Sequence, residues 1–160
     1  MSTSRESGFT LLELLIVVVL MASVLAVSYP SLSRGSTALH LRAAGRDVLN
    51  TFRYAREKAV TEQTGMKIRV DRGKQALTLT DDFDDGSRTY VLPHDVKIQR
   101  VAQAGSEIPD GLLIIRFLPN GSSDSAEILL KSDTGAYLRI ISDPITGGAH
   151  IEKGPGENPL

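Results

Sequence analysis

The chain has no cysteine and no tryptophan, and aromatic residues fill only 5% of its 160 positions. The first absence excludes disulfides, thiolate metal sites and a cysteine nucleophile, and it fits either redox compartment. The scarcity of aromatics leaves Leu, Ile, Val and Ala to build the core. Neither sign of charge is in excess, with 18 basic residues against 19 acidic ones, so bulk electrostatics give no strong pull toward nucleic acid or an anionic surface. The three histidines, His40, His94 and His150, are scattered without metal-ligand spacing such as HExxH. No GxSxG elbow occurs around the serines. Enzymatic chemistry therefore has little to stand on, and neither a metal nor a cofactor is expected. Length and a 41% hydrophobic content suit one globular domain.

The chain does have one long apolar run, Phe9–Val27, of 19 residues. That is about the length a helix needs to cross a hydrocarbon core. Glu13 interrupts it. A carboxylate near the centre of a spanning helix costs about 2.5–3.5 kcal/mol, and less toward one end, where Glu13 lies. An acid in lipid needs a cation, yet no Lys, Arg or His occurs between Arg5 and Arg34. A main-chain amine is the remaining candidate, and it exists only if the chain is cut nearby.

Ser7-Gly8-Phe9-Thr10-Leu11-Leu12-Glu13 resembles the GFTLxE leader motif of type IV pilins at every position. The resemblance implies that a prepilin peptidase cuts between Gly8 and Phe9 and that the new Phe9 N-terminus is methylated. It also implies that Glu13 pairs with the Phe9 amine of an adjacent subunit during assembly and so sets the register. Two other readings account for part of the run. A secretory signal cleaved near Val24-Leu25-Ala26 leaves Glu13 and the Gly-Phe leader unexplained. A plain membrane anchor leaves Glu13 unpaired.

Pro30 falls just after the run and is expected to kink a helix by removing a backbone hydrogen bond. Beyond it, Leu41, Ala44, Val48, Phe52, Ala55 and Ala59 recur at steps of three or four, the mark of one buried helix face. Arg42, Arg46, Arg53, Arg56 and Lys58 occupy the other side. That basic side is either a solvated face or a stripe toward acidic groups on neighbours or nucleic acid. Thr64-Gly65 supplies a stop, with Gly65 suited to a left-handed cap. An unbroken helix from Phe9 to Gln63 would measure about 80 Å.

From Met66 the period changes to eight short β-like runs: Met66–Val70, Ala76–Thr80, Arg88–Leu92, Val96–Val101, Leu112–Leu118, Ala126–Lys131, Ala136–Ile141 and Ala149–Lys153. Turn residues such as Asp71-Arg72-Gly73, Pro119-Asn120-Gly121 and Asp133-Thr134-Gly135 punctuate them. The expected class is α+β: a long N-terminal helix packed on an antiparallel β-sandwich or two-sheet domain. Expected boundaries are a leader at 1–8, a membrane half-helix at 9–29, an amphipathic half at 30–64, a β-domain at 65–153 and a disordered tail at 154–160.

Arg116-Phe117-Leu118-Pro119-Asn120-Gly121-Ser122-Ser123 and Asp143-Pro144-Ile145-Thr146-Gly147 resemble signatures of the GspH/FimT family, which includes minor pseudopilin H of type II secretion systems. The first stretch, with Phe117, Pro119, Asn120 and Gly121, is also a tight turn between strands. The resemblance implies a subunit near the tip of a short periplasmic filament that helps export folded proteins. It further implies a single-pass inner-membrane precursor, N-terminus cytoplasmic and C-terminal domain periplasmic, with membrane lipid contacted through Phe9–Val27. The implied partners are prepilin peptidase, other major and minor pseudopilins and an inner-membrane assembly platform. FimT-type minor type IV pilins, some of which bind DNA through a basic C-terminal region, are the alternative. Here no basic residue follows Lys153, and residues 28–160 hold 17 basic and 17 acidic residues. DNA affinity rests largely on phosphate contacts, so nucleic acid is not the expected partner. Asp81-Asp82-Phe83-Asp84-Asp85-Gly86 has carboxylates enough for calcium, but Phe83 breaks the EF-hand spacing and Leu92 stands where a bidentate Glu is needed.

Overall fold

The computed structural model describes residues 10–83 and 86–153, the side chains of 26–36 and 153 excepted. It divides into two units, residues 1–36 and 37–160. Helix α1, Leu11–Glu62, contributes to both.

In the first unit α1 starts at a capped end. The Thr10 side-chain oxygen accepts the backbone N–H of Glu13 at 3.2 Å, and the Thr10 carbonyl accepts that of Leu14 at 3.2 Å. Threonine as N-cap satisfies a donor that the first turn leaves without an intrahelical partner. Every large apolar side chain from Leu11 to Leu25 is exposed.

The second unit holds the core. Its strands are β1 (Met66–Asp71), β2 (Ala76–Asp81), β3 (Arg88–Val91), β4 (Val96–Gln103), β5 (Ser106–Glu107), β6 (Leu112–Phe117), β7 (Ala126–Ser132), β8 (Tyr137–Ser142) and β9 (Ala149–Lys153). They form two antiparallel sheets, ordered β3-β2-β1-β6 and β5-β4-β7-β8-β9. Eight of these match the eight expected runs within two residues at either end. The ninth, β5, is a two-residue pair with β4 made of exposed Ser106 and Glu107, too short and polar to show a period.

All six helix positions of the expected face, Leu41, Ala44, Val48, Phe52, Ala55 and Ala59, are buried. They share one core with inward residues of both sheets, among them Ile68, Leu77, Ile115, Phe117, Ile128, Leu130 and Ile140. The alternation of strand residues puts one set inward, as in β6, where Leu113, Ile115 and Phe117 are buried and Leu112, Ile114 and Arg116 exposed. With tryptophan absent, Phe52 and Phe117 supply the largest buried side chains and meet edge-to-face at 5.7 Å.

One glycine acts differently from expectation, and a second lies at a close helix–sheet contact. The helix stop in left-handed conformation is Gln63 (φ 52°), not Gly65. Gly65 instead lies against the Asp82 carboxylate, which would have to move aside for a Cβ there. Gly45, inside α1, has a related role: its missing Cβ would stand 3.0 Å from two methyls of Leu138 on β8, so glycine lets the helix lie close on that sheet.

Gln75, in the turn between β1 and β2, ties the two sheets together. Its side-chain oxygen accepts the Ile98 N–H of β4 at 2.5 Å, its amide nitrogen donates to Arg72 O at 2.5 Å, and its carbonyl accepts the Leu92 N–H at 3.0 Å.

Candidate functional site: the capped end, the signature loops and a basic groove

Of the residues singled out at the N-terminus, the structure places Thr10 and Glu13. Gly8 and Phe9 lie outside the described residues, as does the tail at 154–160. Pro30 falls within the bounds of α1, among residues whose side chains are not described. The pair Thr10 and Glu13 also has capping-box spacing, Thr-x-x-Glu, a local signal for a helix start at this point. Glu13 sits in the first helical turn, where a carboxylate is favoured by the positive end of the helix dipole. Among the described residues no helix is long and apolar enough to cross a membrane; the run Phe9–Val27 begins before them and ends among residues without described side chains.

The two signature stretches of the β-region, 20 residues apart in sequence, come together. Phe117 ends β6 inside the core, and the chain then turns at Pro119-Asn120-Gly121. Asn120 Oδ1 accepts the Ser122 N–H at 3.0 Å and the Ser122 hydroxyl at 2.7 Å, an Asx turn. Gly121 takes φ 86°, open to glycine at little cost. Across from it, Asp143 Oδ1 accepts the Ile145 N–H at 2.9 Å. The backbone N–H of Ile145, and then the groups of Thr146, hold the Asp143 carboxyl below its usual range.

The Ser123 N–H donates to Pro144 O at 3.0 Å, and Gly147, with φ 62°, lies so near that a Cβ there would strike the Gly121 carbonyl. That same carbonyl accepts Arg56 Nε of α1 at 3.2 Å. Arg56, one of the helix arginines read only as a basic face, thus locks both loops to the helix. Nothing in its helical spacing distinguished it from its neighbours. Arg116 closes the other side of the turn through Asp124, with Nε at 2.9 Å.

The remaining arginines of that face differ. Among the described residues Arg42, Arg46 and Arg53 are exposed and make no hydrogen bond or ion pair. Arg42 and Arg46 stand beside a groove of about 260 Å3 between α1 and strands β8 and β9.

Elsewhere, His40 Nδ1 meets Asp95 Oδ2 at 2.7 Å, so His40 joins α1 to the turn before β4. Burial alone would raise the Asp95 carboxyl, but the His40 hydrogen bond and then its own backbone N–H bring it below the ordinary value. Among the described residues no three His, Asp or Glu side chains are grouped to hold a metal. In the acidic loop, Asp82 pairs with Lys67 at 3.3 Å and Asp81 accepts the Phe83 N–H at 3.0 Å; Asp84 and Asp85 lie outside the described residues.

Residues 3–29 match the prokaryotic N-terminal methylation motif. Among curated protein sequences none is significantly similar to the chain. Two solved structures of the minor pseudopilin EpsH, from the type II secretion system of Vibrio cholerae, have the same fold. One aligns with a TM-score of 0.59 at 12% identity, over 75% of this chain and 99% of that one. The other gives 0.58 at 13% identity, over 75% and 97%. The chain therefore joins a prokaryotic methylation motif at its N-terminus to the fold of a minor pseudopilin.

Proposed function

We propose that this protein is a minor pseudopilin, a structural subunit at or near the tip of a type II secretion pseudopilus that contributes to export of folded proteins across the outer membrane. Its work is mechanical. Prepilin peptidase cuts the precursor between Gly8 and Phe9, Phe9 is methylated, and the apolar segment Phe9–Val27 holds the subunit in the inner membrane with residues beyond Pro30 on the periplasmic side. On assembly with other pseudopilins, the exposed apolar side chains from Leu11 to Leu25 find partners, and Pro30 bends the helix between membrane and globular body.

The observation that carries this reading is the coincidence, in one chain, of the methylation motif at residues 3–29 with a helix-on-two-sheets fold like that of EpsH. Either feature alone is less specific. The meeting of the two signature loops at Arg56 supports it, since both stretches that resemble the family's signatures belong to one built unit.

The test is the mass of the mature protein from cells with a prepilin peptidase. It should start at a methylated Phe9, and Gly8→Ala should leave the precursor uncut. A mature chain beginning at Met1, or after Ala26, refutes the reading.

A further inference from the structure

We infer that the groove between α1 and strands β8 and β9 is a docking site for a second pilin-like subunit, which presents carboxylates along a helix. The inference rests on the pseudopilin reading and names the surface through which one neighbour is held.

Arg42, Arg46 and Arg53 lie at helix positions separated by 4 and 7 residues. At 100° per residue they fall on one line of α1, extending about 16 Å. Arg56, Lys58, Lys67, Arg72, Arg100, Arg116 and Arg139 are each bonded or ion-paired within the chain; among the described residues none of the three has a partner, and unlike the exposed Arg69 and Lys74 they stand in line on one helix. Three guanidiniums aligned and left unpaired complement carboxylates spaced along a straight partner, since arginine forms two parallel bonds to a carboxylate.

The floor of the groove is apolar. Leu41 and Leu138 form it, and Ile151 on β9 remains 37% exposed. An apolar floor with a basic wall suits an amphipathic helix, whose apolar side chains enter the groove while its acids reach the arginines. Duplex DNA would use the arginines but gain nothing from the apolar floor, whereas a protein helix uses both, its carboxylates meeting the arginines and standing clear of Glu152 and Glu57.

The test uses the full chain in cells with its sister subunits, carrying a photoreactive benzoylphenylalanine in place of Tyr137, which lines the groove. A second strain carries the same group in place of Leu14. The Tyr137 probe should capture a helix peptide of another pilin-like subunit that bears two or more carboxylates. Arg42→Glu with Arg46→Glu should cut that product by at least about tenfold, because like charges across an interface are strongly disfavoured, with Arg42→Gln and Arg46→Gln intermediate. The Leu14 product should persist in both. Capture at Leu14 but none at Tyr137 overturns the docking site and leaves the pseudopilin reading standing. So does a Tyr137 product that ignores charge reversal, or one that proves to be DNA or a second copy of this chain. No product from either probe overturns both.

Discussion

Arg56 and Gly121 stand 65 residues apart in sequence, and the guanidinium of the first donates to the carbonyl of the second at 3.2 Å. Gly147 packs against the same carbonyl, so one helix residue and both loops meet at a single backbone group.

Gly147→Ala should therefore cost stability twice. The added methyl meets the Gly121 backbone, and an alanine at φ 62° is strained in its own right. A loss of about 2 kcal/mol or more is expected, read as a lowered midpoint in chemical unfolding. Arg56→Lys should weaken the same junction by about 1 kcal/mol. Unchanged unfolding of both variants would show that the junction contributes nothing.

Phe52→Ala and Phe117→Ala remove the largest buried side chains and should each destabilise by about 3–5 kcal/mol. Because the rings pack edge-to-face with centroids 5.7 Å apart, the double variant should lose less than the sum of the two, a coupling that a double-mutant cycle measures.

The His40–Asp95 pair gives a pH dependence with a definite sign. The folded-state carboxyl of Asp95 lies below its ordinary value of 3.8, so folding favours the anion. Its stabilisation is present above that value and is lost as pH falls through the lower folded-state value. His40 is half exposed, which limits the pair to about 1 kcal/mol. Asp95→Asn should lower stability at pH 6–7 and flatten the acid limb of the stability curve. An acid limb identical to wild type would count against it.

Gly45→Leu should push α1 away from Leu138 and Ile151, since even a Cβ lies 3.0 Å from the Leu138 methyls. Overpacking of this kind costs about 1–3 kcal/mol, and thermal unfolding would register it.

On the proposed pseudopilin role, Glu13→Val should leave membrane insertion intact and reduce incorporation into a filament, measured by co-purification with other pilin-like subunits. Wild-type incorporation would remove the register role from Glu13. Thr10→Val, which deletes the cap hydroxyl but keeps the shape, should fray the first turn at a cost of about 1 kcal/mol.

Much of the fold was legible because it is written in periods. Six apolar residues at helical steps identified the buried face of α1, and alternation identified eight of the nine strands. What escaped was of another kind. Gln63 ends the helix in a conformation glycine usually takes, and it did so two residues before the glycine that looked suited to it. Ser106-Glu107 pairs through its backbone alone, which no side-chain pattern records. The role of Arg56 depends on loops brought from positions 121 and 147, and the pairing of His40 with Asp95 depends on a turn 55 residues away. Contacts of that range are set by tertiary packing, so the spacing of the helix arginines could not separate the locked one from the three free ones.

Gln75 has a mechanical consequence. Its side chain and carbonyl hold Arg72, Leu92 and Ile98 at once, like a dowel driven through two boards. For one sheet to slide past the other the bond to Ile98 would have to part, while the bonds to Arg72 and Leu92, beside the first sheet's own strands, keep the glutamine anchored. In a filament subunit of the proposed kind, a force that sheared the two sheets would fall on that one bond.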